Sequence, residues 1–74
     1  GITIHPNPAT TTLNIELPNN LNCTAEICNT KGVLIDAKQL QGNAQWNIEA
    51  LPPGVYLITF RNKDVSITRK FVKK

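Results

Sequence analysis

The sequence is poor in the residues that usually carry chemistry. Its 74 residues include no methionine, one histidine, one tryptophan, one tyrosine, two phenylalanines and two cysteines. With aromatics this scarce, the core must be built mainly from Ile, Leu and Val. No run approaches the roughly 18 consecutive apolar residues that a membrane helix requires. One imidazole and two thiols do not make a tetrahedral metal set, so neither a metal nor any other cofactor is expected. Gly32, Gly42 and Gly54 stand singly, which excludes a glycine-rich phosphate loop. There is also no initiator methionine and no signal peptide; the chain opens on Gly1 inside the strand-like "GITIHP". We therefore expect a segment excised from a longer protein.

The cysteines are equally uninformative about redox compartment. Cys23 and Cys28 lie in "NCTAEICN", which reads as a strand. At about 3.3 Å per residue their Cα atoms would be about 16 Å apart. A disulfide tolerates no more than about 7 Å. The odd separation also sends them to opposite faces, with Cys23 packing inward as a small hydrophobe.

Candidate catalytic groups fail one by one. His5 precedes Pro6, which holds it extended. Nothing in the sequence brings it to either cysteine, and no third residue is signalled to orient the pair. No Asp/Glu pair has a spacing suited to acid–base work. The domain reads as non-enzymatic. Asn22-Cys23-Thr24 fits the N-glycosylation pattern, but a buried Cys23 makes the match accidental. Trp46 is a conceivable sugar-stacking platform, yet it shares a strand face with Ala44 and Ile48, and this places it in a core. Nucleic-acid binding requires aromatics interleaved with basic residues. Only Phe71 qualifies, so no nucleic-acid partner is expected.

What is present is β-structure and an uneven charge. The chain is 41% hydrophobic and 18% charged, a globular rather than disordered composition. Its length sets one thin-cored domain, residues 1–74. Short runs rich in β-branched residues recur at about 8–12-residue spacing, each ended by turn residues. "TLNIEL" alternates, with Leu13, Ile15 and Leu17 on one face. "CTAEICN", "VLIDAKQL" and "AQWNI" follow, the second read as a strand because Gly32 and Gly42 bracket it too tightly for a helix. "LPPGVYLITF" is extended by Pro52 and Pro53 and turned at Gly54, and it puts Tyr56, Ile58 and Phe60 on one face. The run "VYLITFRN" after "LPPG" is the least alternating and so the expected central strand. "VSITRKFVKK" closes the chain. Seven short strands predict an all-β, immunoglobulin-like antiparallel sandwich. The net charge is +3. Arg61, Lys63, Arg69, Lys70, Lys73 and Lys74 crowd the final stretch, with Asp64 the only acid among them. Such an end either meets an acidic partner or is a solvated strand edge kept from aggregating by its lysines.

Four blocks, in order, resemble the C-terminal sorting domains of the type IX secretion system of Gram-negative bacteria. "IHPNPATTTLNIEL", with Pro6, Asn7, Pro8 and Ala9, looks like the family's opening signature. "AEICNTKGVLI" is similar to its next block, a strand ending in a polar turn with a glycine, here Gly32. "LPPGVYLITF", with Leu51, Pro52, Gly54 and Tyr56, resembles its most recognisable block. "TRKFVKK" resembles its basic-apolar-basic finish. Cys28 and His5 depart from the commoner residues at their positions without touching the signatures. The closest likeness is to the type A branch.

The resemblance implies a secretion signal at the C-terminus of a larger protein. The parent would fold in the periplasm and be recognised by an outer-membrane translocon. A surface sortase would then cut at or upstream of Gly1 and often attach the cargo to the cell surface. Lys70, Phe71, Val72, Lys73 and Lys74 are the expected reading surface, with the last strand offering unpaired backbone groups to a partner strand. Strand alternation sends Phe71 and Val72 to opposite faces, so one of them needs a partner outside the core. The alternative is a carbohydrate-binding or adhesive sandwich. The sequence leaves the oligomeric state open.

Overall fold

A computed structural model describes residues 1–74. The alternating runs form seven strands: β1 (Thr3–His5), β2 (Thr12–Glu16), β3 (Asn22–Asn29), β4 (Leu34–Gln41), β5 (Ala44–Asn47), β6 (Gly54–Arg61) and β7 (Ser66–Lys73). A single 3-10 turn, Pro18–Asn20, separates β2 from β3. No helix is long and apolar enough to cross a membrane.

The strands form two antiparallel sheets, ordered β1-β2-β5 and β4-β3-β6-β7. They pack face to face as an all-β sandwich, the architecture the sequence predicts. The expected central run, β6, is interior, flanked by β3 and β7. The order and the hydroxyl of Tyr56 are both consistent with an immunoglobulin-like fold. Tyr56 donates to the carbonyl of Pro52, 2.5 Å away, at the start of β6. Immunoglobulin-type sandwiches carry a corner tyrosine at the equivalent turn.

Period-two alternation places the core as expected. Leu13, Ile15 and Leu17 of the first sheet meet Cys23, Ala25, Ile27, Ile58, Phe60 and Phe71 of the second. Trp46, Ile48 and Tyr56 belong to the same cluster. Trp46 is 1% exposed. Its indole N–H donates to Asp36 Oδ2 at 3.1 Å, and the Lys38 ammonium sits 5.1 Å from the ring. Two signature glycines take backbone angles that side chains resist: Gly32 has φ 83° and Gly54 has φ 155°.

Both cysteines are free, and they occupy opposite faces as their odd spacing requires. Cys23 is buried in the core, and that burial pushes its thiol above the ordinary value of 9.0. The unfolded chain therefore releases this proton at a lower pH than the folded one. Stability contributed by the neutral thiol is intact below that ordinary value and declines as pH rises past it. We expect Cys23→Ala to flatten this alkaline slope in denaturant titrations. At neutral pH a thiol-alkylating reagent is expected to add to Cys28 alone, read as a single adduct by mass spectrometry. Double addition to the native protein would contradict the buried placement.

Candidate recognition surface

No group of three or more His, Cys, Asp or Glu residues gathers in a way that could hold a metal ion. His5 lies with Asn14 and Glu16 in a surface depression on the first sheet, while Cys23 and Cys28 both belong to β3 of the second, so neither Cys–His pairing is assembled. The His5 ring instead meets Glu16 Oε1 at 3.2 Å on the open face of the first sheet. Trp46 is enclosed in the core, where its ring is not available for stacking on a sugar. Attention therefore passes to the surface that the last strand presents.

β7 is an edge strand, paired only with β6 from Gly54↔Lys73 to Arg61↔Ser66. The Pro6-Asn7-Pro8-Ala9 segment lies along its outer side. Asn7 Oδ1 accepts the Val72 N–H at 2.9 Å, and its Nδ2 donates to the Lys70 carbonyl at 3.3 Å. The Ala9 N–H donates to the Val72 carbonyl and the Lys74 N–H to the Ala9 carbonyl, both at 2.8 Å. Ala9 and Lys73 thereby form a parallel bridge, with Ala9 itself 1% exposed. The asparagine amide suits this role because it carries a donor and an acceptor side by side, as a peptide group does.

This arrangement corrects one expectation. From Lys70 to Lys74 the strand does not offer a row of unpaired backbone groups, because the Asn7–Ala9 segment already takes them. A partner strand cannot add there without displacing that segment. Pro6 and Pro8 serve the same end from either side, since neither brings an N–H of its own that would need a partner.

The five expected recognition residues divide by strand alternation. Phe71 is fully buried, its ring stacked on Tyr56 with centroids 5.5 Å apart and planes inclined by 23°. Lys73 is also buried, at 7% exposure. Its ammonium donates to the carbonyls of Leu51, at 3.0 Å, and Glu49, at 3.5 Å. Sequence reasoning missed this, because a lysine near a chain end reads as solvated. The only signal was its parity with Phe71. Lys70 and Lys74 are exposed and Val72 is half-buried on the outer face. Neither exposed ammonium is paired with a carboxylate; the two ion pairs of the fold are His5–Glu16 and Arg61–Glu26.

Three of the four signature blocks thus meet in space. Asn7 and Ala9 hold the last strand from outside, Leu51 receives Lys73, Pro52 receives Tyr56, and Tyr56 supports Phe71. A family model, the secretion system C-terminal sorting domain, matches residues 3–74. The chain belongs to that family. It is a C-terminal sorting signal of the type IX secretion system. No curated protein matches the chain. As a sorting domain, it directs export to the cell surface or the medium and engages the secretion machinery. Within the sorting domain, three of the four sequence signatures form one connected structure around β7, while the Gly32 block lies in β3, β4 and the turn between them.

Proposed function

We propose that this sorting domain acts as a folded, non-catalytic address whose readable part is the outward side of β7. Lys70, Val72 and Lys74 contact the outer-membrane translocon, while Phe71 and Lys73 hold the strand in register from within. The domain forms the C-terminal end of a larger secreted protein, which passes through the periplasm before reaching the surface. A surface sortase then removes the domain at or upstream of Gly1 and leaves the cargo attached to the cell. The observation that carries this reading is the division of the tail. Two unpaired cations stand outward on a strand whose alternate residues are fastened to the core. An acidic partner gains from such cations mainly in specificity and rate of encounter.

The test is a fusion of the 74-residue chain behind a folded periplasmic reporter, expressed in a host with a working type IX system. The expected result is reporter on the cell surface, without the domain attached. The double substitution Lys70→Glu and Lys74→Glu is expected to hold the reporter in the periplasm at least tenfold more, with the thermal midpoint unchanged. If the reversed charges travel to the surface as well as the original ones, the tail lysines are not read.

A further inference from the structure

The outer face of the larger sheet is divided into two halves of different chemistry, and the register of the strands shows where. One row runs Gln39–Thr24–Arg61–Ser66 and the next Ala37–Glu26–Thr59–Thr68. These rows satisfy themselves. Thr24 donates to Gln39 and Arg61 to Glu26, and Thr59 and Thr68 share a hydrogen bond, at 2.8–2.9 Å. The next row is Leu34–Cys28–Leu57–Lys70, and beyond it Val55 pairs with Val72. This half has no polar network at all. Val55 is 41% exposed and Leu34 53% exposed, while Cys28, Leu57 and Val72 are half-buried. All four of the fold's exposed large hydrophobics, Val33, Leu34, Ile35 and Val55, lie at this end of the sheet.

We infer that this apolar half-face is a docking surface for a protein of the export machinery that presents an apolar patch rimmed by acidic residues. The inference rests on the sorting function proposed above and names the surface through which it works. Contiguous exposed apolar area on a small domain marks a contact site. Its border fixes the sign of the partner. Lys70 and Lys74 stand at the β7 side and Lys31 in the turn between β3 and β4. The only acid on this face, Glu26, belongs to the polar half and is bound to Arg61. A second copy of the chain is disfavoured, because pairing the face with itself brings like charges together. An anionic bilayer is a poorer match than a protein. The apolar side chains are short, held flat in a sheet and include no aromatic, whereas interfacial segments insert bulky residues. Three cations add only about 1 kcal/mol each at a membrane surface.

The surface also gives Val72 its partner outside the core and draws Val55 and Leu57, from the most recognisable signature block, into recognition.

Charge substitutions on the two halves test the inference in the same reporter fusion. Val55→Asp and Leu34→Asp, separately, are expected to lower the surface-displayed fraction at least tenfold. Ser66→Asp, on the same face in the polar half, is expected to leave it unchanged. Circular dichroism melts of the purified variants should match the parent within a few degrees. If Val55→Asp and Leu34→Asp fold and travel normally, or Ser66→Asp blocks export equally, the half-face is not the docking surface although the sorting function stands. If the unsubstituted fusion stays in the periplasm, the sorting function itself fails and this inference with it. Cosedimentation of the purified chain with vesicles containing one-third anionic phospholipid, abolished by Val55→Asp, would replace the protein partner with a membrane. No cosedimentation is the expected result.

Discussion

Phe71→Ala is expected to cost about 3–5 kcal/mol, the range for removing a large aromatic from a packed core. The ring is completely enclosed and stacks on Tyr56, so its loss both leaves a cavity and strips one face from the corner tyrosine. At about 4–8 °C per kcal/mol for a domain of this size, the thermal midpoint should fall by well over 10 °C. Small single domains have only about 5–15 kcal/mol in reserve, and a chain this short belongs at the lower end. Much of the protein would then be unfolded at growth temperature, and export of a fused reporter would be lost with it. Phe71→Leu keeps most of the volume and should cost markedly less. Equal losses of stability in the two variants would show that packing around the ring is not what holds β7. Urea titration of the purified domain, read by Trp46 fluorescence, makes the comparison.

Deleting Lys73 and Lys74 is expected to be as damaging, for a reason unrelated to charge at the surface. The deletion removes the ammonium that the Leu51 and Glu49 carbonyls receive, the last register pair with Gly54 and the bond from the Lys74 N–H to Ala9. Each intramolecular hydrogen bond contributes about 0.5–1.5 kcal/mol net, and bonds to a charged donor about 1.5–3. The expected total is about 3–5 kcal/mol, with Ala9 left partly uncovered. Substituting Lys74 alone, whose side chain is exposed, should cost less than about 0.5 kcal/mol. Loss of export after the deletion is therefore a folding result before it is a recognition result. Thermal melts of the two variants separate these effects. A deletion variant as stable as the parent would mean that the buried ammonium adds nothing to the fold.

The contrast between these variants reflects what a sequence can convey. Period-two alternation in "TLNIEL" and "VYLITF" places side chains on faces, because the strand period is a local property. The same alternation separates Cys23 from Cys28 and Phe71 from Val72. The position of Lys73 is a different matter. Its parity with Phe71 points it inward, yet an ammonium is admitted to a core only where acceptors converge. Those acceptors come from the loop before β6, about two dozen residues away in sequence. The role of Asn7 was hidden for the same reason. Its prolines announce a turn, but the strand on which its amide closes is known only when the sheet order is. The apolar half-face likewise depends on register between four strands. Leu34, Cys28, Leu57 and Val55 are unremarkable singly, and become a patch only when β3, β4, β6 and β7 are aligned.

The fastening of Asn7 and Ala9 onto Lys70–Lys74 has a kinetic corollary. The Asn7–Val72 bond joins residues 65 positions apart, so it closes a loop that contains β2 to β6 and most of β7. Contacts of such long sequence separation place folding in the slow, millisecond-to-second regime typical of all-β domains. They also form late, after the loops between them have been closed. A surface assembled by the last contacts to form reports on everything formed before it. A machine that reads β7 and its flank therefore reads completion: the label becomes legible only on a molecule whose intervening strands have already found their places.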